Sequence, residues 1–249
     1  MIQLDNISKI FNPGQVNEVT ALHQISLSVS SGQYLVLVGA NGSGKTTLLN
    51  ILSGTEKPST GSVRINGADV TRLPEHKRSK WISRVFQNPY TGTASDLSIL
   101  DNFRLAALRT QSKKLTIGVN TPFRARVQDK IASLGMGLED KIDQPMGSLS
   151  GGQRQALTLL MSVMDDTKIL LLDEPTAALD PKSAAMVLAL ASQLIRSFSL
   201  TAVFITHNLK DAQQQGNRLI QMQDGRILRD LNATQKAGLS LPDMFSWFE

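Results

Sequence analysis

The sequence predicts an α/β fold: a mostly parallel sheet with flanking helices, an antiparallel β subdomain at the N-terminus, and a helical subdomain inserted into the α/β core. Three observations carry that prediction. Early segments alternate apolar and polar residues in the manner of strands that bury one face. Four later apolar runs are short, and each stops at a polar residue or a glycine, as buried parallel strands do. Between residue 88 and about 160 this strand rhythm gives way to helical spacing.

In order, Ile2 to Ile10, Ala21 to Val29 and Ser62 to Ile65 read as strands, the last running into an Asn66-Gly67 turn. Tyr34 to Val38, Arg84 to Phe86, Ile169 to Leu172 and Thr201 to Ile205 read as the parallel strands. Helical patterns over Thr46 to Ser53 and Lys182 to Ser197 fill space between them. Leu97 to Leu108 and Arg124 to Leu134 read as helices of the inserted lobe, joined by a polar, glycine-containing connection. The expected division is a domain over 1–230, with the lobe inside it, and a separate tail over 231–249. In that tail Leu241, Met244, Phe245 and Phe248 fall on one face of a short helix, which docks either on the chain's own core or on a partner.

Composition narrows the chemistry. The 249 residues are 41% hydrophobic and 19% charged, with a net charge of +5. That charge permits contact with nucleic acid or an anionic membrane. No dense basic run with interleaved aromatics accompanies it, so no nucleic-acid partner is expected. The chain has no cysteine and three histidines, which excludes disulfides and thiolate chemistry and argues against a zinc site. No signal peptide is visible at the N-terminus, and no apolar run approaches the ~20 residues a membrane helix needs. A cytoplasmic location is the default expectation.

The four parallel strands end on a phosphate loop, a glutamine, a carboxylate pair and a histidine. In open parallel sheets ligands bind beyond the carboxyl ends of the strands. Gly39, Ala40, Asn41, Gly42, Ser43, Gly44, Lys45 and Thr46, with Thr47 behind them, fit the P-loop pattern and lie between a strand and a helix. This makes the α/β part a P-loop NTPase core. The glycines let backbone N–H groups close round phosphate oxygens, Lys45 is placed to bridge the β- and γ-phosphates, and Thr46 offers a hydroxyl to Mg²⁺. Asp173 and Glu174 end an apolar strand, where adjacent carboxylates call for a nearby positive charge. Asp173 is the metal-side acid, and Glu174 the base or water-positioning group. Gln87 and His207 gain meaning only beside these motifs. A second glycine turn, Ser148 to Gln153, also runs into a helix and lacks a lysine.

Taken in chain order, the P-loop, Gln87, Leu149-Ser150-Gly151-Gly152-Gln153, Leu172-Asp173-Glu174-Pro175, Ala178-Leu179-Asp180 and His207 resemble the ATP-binding subunit of ATP-binding-cassette (ABC) transporters, over about residues 1 to 230. The P-loop alone would admit kinases and GTPases; the Leu-Ser-Gly-Gly-Gln signature is specific to this family. The resemblance implies an ATPase with ATP and Mg²⁺ as ligands. It implies that Phe11 stacks on adenine, the alternative for Phe11 being a hydrophobic staple. It implies that Gln87 senses the metal and links to the membrane partner, that Asp180 communicates across a dimer, and that His207 contacts the γ-phosphate. Because Glu174 is a glutamate, the chain is not one of the degenerate, ATP-holding versions. Ser150, Gly151, Gly152 and Gln153 would complete a nucleotide site on a second copy, whose P-loop holds the phosphate.

The 62 positions from Gln87 to Leu149 leave room for the lobe on which membrane subunits rest in this family. Asp96, Leu97 and Ile99 are candidates for that contact, ordinary lobe packing being the alternative for each. The Pro175-to-Pro181 stretch and the short tail resemble stand-alone subunits of bacterial importers, and the Ser148-to-Met161 segment resembles an importer branch linked to amino acids or similar small solutes. The implied partners are a second ATP-binding subunit, transmembrane permease subunits and an extracytoplasmic solute-binding protein, at the cytoplasmic face of the cell membrane. The alternatives are a soluble ABC ATPase without transport, or the ATPase of a lipid- or lipoprotein-moving system.

Overall fold

The computed structural model describes residues 1–108 and 118–248. The chain opens with β1 (Ile2–Phe11) and β2 (Val19–Val29), paired antiparallel. It then crosses through β3 (Tyr34–Val38), all five residues buried, and a glycine loop into α1 (Lys45–Ser53). Next, β4 (Thr60–Ile65) and β5 (Ala68–Asp69) return to the first sheet, whose order is β2-β1-β4-β5. The turn between β4 and β5 is the expected Asn66-Gly67 pair, with φ of 51° and 80°, as a tight two-residue hairpin turn requires.

A single turn, α2 (Glu75–Arg78), brings in a cation that composition hides. Arg78 has no exposed surface. Its guanidinium donates to the carbonyls of Ile51 (2.6 Å) and Leu52 (2.9 Å) in the last turn of α1, and to those of Thr71 and Leu73. The Ile51 and Leu52 carbonyls are ones that a helix end leaves without intrahelical partners, at its negative pole. Burial pushes the Arg78 pKa down to about 10.

The second sheet grows from β3 outward. It gains β6 (Ile82–Val85), β7 (Ile169–Asp173) and β8 (Thr201–Ile205), all parallel, as expected from the apolar runs. A further parallel strand, β9 (Arg218–Gln223), and an antiparallel edge strand, β10 (Arg226–Leu231), complete the order β10-β9-β3-β8-β7-β6. These last two are additions to the expected set. Gln221 sits buried in the middle of β9, so the segment shows no continuous apolar run.

The lobe inserted after β6 holds α3 (Ile99–Ala107), capped by Ser98, and α4 (Thr121–Ala132), capped by Asn120 with a proline in its first turn. Part of the connection between them, residues 109–117, lies outside the described residues. The caps set both starts: α3 begins two residues later than its periodicity predicts and is shorter, whereas α4 begins three residues earlier, at Thr121. The lobe closes with α5 (Gly151–Ser162), nearly all of it buried. Ile99 is wholly buried at the start of α3, with its N–H bonded to Gln144 O. This overturns its candidacy as a docking residue and leaves it as lobe packing. Leu97 is 42% exposed and Asp96 is exposed.

One face of the large sheet packs on α1 and the antiparallel sheet, through Leu35, Leu37, Leu48, Ile51 and Ile220. The other packs on α5, on α6 (Pro181–Ser197) and on the lobe, through Val36, Leu172, Phe204, Leu157 and Val187. After β8 comes α7 (Leu209–Gln214), and after β10 come α8 (Ala233–Ala237) and α9 (Leu241–Phe245). The expected apolar face of the tail divides in two. Met244 is wholly buried in the core and Leu241 packs against it, whereas Phe245 and Phe248 are 57% and 41% exposed. Five residues make little more than one helical turn, so one stripe cannot carry all four side chains inward. Among the described residues no helix is long and apolar enough to cross a membrane.

Candidate nucleotide site

The loop between β3 and α1 is built around glycine. Gly44 precedes α1 with φ of 95°, and a Cβ there would lie 2.6 Å from Ala21 O. Only glycine accepts both that backbone and that approach. The first turn of α1 has no acidic residue, so its N-terminus faces the loop as an uncompensated positive pole. Lys45 reaches back into the loop, its Nζ donating to Gly39 O (2.8 Å), Ala40 O (2.9 Å) and Ser43 Oγ (3.4 Å). Burial lowers its pKa, against the opposing pull of Glu174 and Asp173.

The carboxyl ends of the neighbouring strands bring the other groups alongside. Asp173 is the last residue of β7 and is buried. One oxygen of its carboxylate accepts from Arg84 Nη2 at 2.5 Å. The cation beside this carboxylate is therefore first of all a strand neighbour, which sequence spacing did not suggest. Glu174 follows with φ of 46°, a left-handed conformation that is rare for a glutamate. Its N–H is tied to Ile205 O (3.1 Å) of β8, and its Oε2 lies 3.0 Å from His207 Nδ1. Strained backbone of this kind costs about 1–3 kcal/mol and concentrates where geometry matters. Gln87 is exposed just past β6. Gln155 of α5 ties the segment before Gln87 to the one after Glu174, donating to Phe86 O and Pro175 O, each at 3.0 Å. That side chain carried no sequence signal.

Phe11, Asn41 through Thr47, Gln87, Glu174 and His207 line one open cleft of about 990 Å³. Phe11 ends β1, where no helix begins, so a helix staple is not its place; Lys9 Nζ sits 4.7 Å from its ring centroid. The signature is not part of this cleft. Ser150 caps α5, accepting from Gln153 N, while the Gln153 side chain accepts from Ser150 N. Gly151 instead lines a neighbouring hollow with Gln87, Asp173 and Ala178. Asp180 is exposed and caps α6, accepting from the N–H groups of Lys182 and Ser183, each at 3.0 Å. The side-chain hydrogen bond from Ser183, followed by that from its backbone N–H, holds the Asp180 pKa below the usual carboxylate value. The cleft thus brings together the phosphate loop, Gln87, Glu174 and His207, while Asp173 lines the adjoining hollow that Gly151 shares.

The sequence model of the family described as ABC transporter matches residues 22–177. The chain belongs to that family. It is the ATP-hydrolysing subunit of an ABC transporter. It is 37% identical to the tyrosine transport ATP-binding protein of Clostridioides difficile (strain R20291), over 100% of this chain and 99% of that one. It is 32% identical to a methionine import ATP-binding protein of Haemophilus influenzae (strain 86-028NP), over 92% of this chain and 64% of that one. Among solved structures, it is similar to an ATP-binding cassette described as a dimer in a post-hydrolysis state bound to ADP and Pi. The TM-score is 0.80 at 27% identity, covering 94% of this chain and 99% of that one.

Proposed function

We propose that the protein powers import of an amino acid or a similar small solute, acting as a pair of identical cassettes beneath partner permease subunits at the cytoplasmic face of the membrane. The observation that carries the reading is the end-to-end similarity to a relative named for tyrosine transport. A solute-binding protein outside the membrane would deliver the solute. Asp96 and the exposed Leu97 at the lobe surface are the candidates for permease contact.

The chemistry follows from the cleft. The loop N–H groups and Lys45 hold the β- and γ-phosphates, and Phe11 meets the adenine. The Thr46 hydroxyl, the Asp173 carboxylate and the Gln87 amide oxygen are hard oxygen donors. Few in number, they fit Mg²⁺, which keeps waters and binds through one or two carboxylates plus substrate phosphates. Bound there, Mg²⁺ supplies neutralisation of charge on the β- and γ-oxygens. Glu174 orients the attacking water and takes its proton. His207, in contact with Glu174, holds that carboxylate in place and reaches the γ-phosphate. Ser150, Gly151, Gly152 and Gln153 of a second copy close the site, presenting a helix N-terminus that needs no lysine of its own. Asp180 lies beside that junction.

The test is Glu174→Gln. It keeps the shape of the site and removes the proton acceptor. ATP binding is expected to persist, turnover to fall by about 10²-fold or more, and a dimer to accumulate under saturating Mg-ATP in size-exclusion chromatography. A variant that stays monomeric while hydrolysis is blocked overturns the paired-site reading. Copurification with a permease, followed by amino-acid-stimulated ATPase assays, tests the solute class.

A further inference from the structure

The guanidinium of Arg84 is held at three points. Its Nη2 donates to Asp173 Oδ2 at 2.5 Å, its Nη1 donates to Asn50 Oδ1 at 2.7 Å, and its Cζ lies 4.8 Å from the Phe86 ring centroid. Strand register makes this possible. Arg84 pairs with Leu171 in the parallel β6–β7 ladder, so Arg84 and Asp173 project from the same face, one diagonal step apart. Asn50 is one helical turn beyond Thr46 on α1, on the side that faces this sheet. Both partners of the ion pair are nearly buried, with side-chain exposures of 9% and 11%, so water screens the pair weakly.

A carboxylate has two oxygens. In Asp173 one of them is committed to a charge-assisted bond with Arg84. A divalent ion drawn to Asp173 meets a carboxylate already partly neutralised, with a fixed positive charge beside it. Asn50 moderates the contest. It occupies one arm of the guanidinium fork, and so keeps Arg84 from gripping both oxygens of Asp173 in the bidentate manner this pair favours.

We propose that Arg84 is a positioning residue that competes with the divalent ion for Asp173, lowering metal affinity, and that Asn50 limits this competition. The proposal rests on the assignment of Asp173 to the metal side of the site. Its consequence is release. Mg-ADP leaves more readily from a carboxylate that has a resident cation ready to take its charge.

The experiment uses the full chain with ATP and Mn²⁺ as the probe, with free Mn²⁺ read by electron paramagnetic resonance. Arg84→Gln is expected to tighten Mn²⁺ by about tenfold, the scale on which a neighbouring opposite charge biases a carboxylate, and to lower the Mg²⁺ concentration for half-maximal turnover in step. Arg84→Lys, which keeps the charge, is expected to stay near wild type. Asn50→Ala is expected to move the affinity the other way, weakening Mn²⁺. Opposite shifts from two neighbouring substitutions are not produced by general loss of structure, and either folded variant alone reads the proposal. An unchanged or weakened Mn²⁺ affinity in Arg84→Gln, or a tightened one in Asn50→Ala, overturns it. If wild type with ATP shows no saturable Mn²⁺ binding, the metal assignment itself fails. If wild type binds and the variants do not shift, only the role of Arg84 falls.

Discussion

Two buried lysines show how the same residue is put to different uses. Lys45 is surrounded by loop carbonyls and lies within reach of Asp173 and Glu174, whose charges offset part of its burial. Lys236, on α8, is 5% exposed, and its Nζ donates to the carbonyls of Gln215 and Gly216 (2.9 Å to the latter), at the end of α7. Burial without an offsetting carboxylate pushes its pKa from 10.5 down to about 8. The sign of its effect on stability follows. Below about pH 8 the folded state carries a desolvated cation and its full penalty. Between about 8 and the unfolded value the unfolded chain holds a proton that the folded chain has shed, so stability rises with pH across that window. Denaturant midpoints of wild type and Lys236→Met, measured from pH 7.5 to 10, are expected to diverge. Wild type gains on the order of 2 kcal/mol relative to the variant. Parallel pH profiles would show that Lys236 keeps an ordinary pKa.

At the scale of elements, the phosphate loop depends on how its helix ends as well as how it starts. Arg78 covers the last carbonyls of α1 from a turn some 25 residues on, and a helix fixed at its C-terminus presents its first turn in a fixed place. Arg78→Met keeps most of the volume and leaves those carbonyls buried without donors. It is expected to destabilise the chain by about 3 kcal/mol, read as a lower denaturant midpoint with an unchanged slope. The elements that the sequence discloses are those whose information is local. Tyr34–Val38, Ile169–Asp173 and Thr201–Ile205 stand out because every residue in them is buried. Strand β9 escapes because Gln221 breaks its apolar run, and what makes Gln221 tolerable there is remote: Arg229 across the hairpin and Trp247 O in the tail. An Asp224-Gly225 turn, with φ of 47° and 70°, was the available sign of that hairpin. The P-loop and the Asp173-Glu174 pair are marked by local pattern, whereas Phe11, Gln87, Asp180 and His207 became candidates only through the family resemblance. Arg84 and Gln155 were legible by neither route, because their partners lie 89 and 69 residues away and no motif names them.

At the scale of the whole molecule, the two glycine loops of one chain face different surroundings. Asn41 through Thr47 line the main cleft, whereas Ser150, Gly152 and Gln153 are absent from it. Close packing fixes the second loop in place: a Cβ on Gly152 would lie 2.6 Å from Ser183 Oγ and 2.7 Å from Ser183 Cβ, so α5 and α6 meet there without room for a side chain. If each loop serves the nucleotide of the other copy, loss of either loop disables both sites of a symmetric pair. Lys45→Ala and Ser150→Arg are therefore each expected to abolish turnover, the first by losing ATP binding and the second without losing it. Mixing the two variants is the decisive case. In a mixed pair the P-loop of the Ser150→Arg chain meets the intact signature of the Lys45→Ala chain, and one complete site forms. The opposite site carries both lesions. With random association, ATPase activity of an equimolar mixture is expected to recover to roughly a quarter of wild type. If the two loops instead acted on one nucleotide within a chain, every site in the mixture would carry a lesion, and activity would stay at the level of the separate variants.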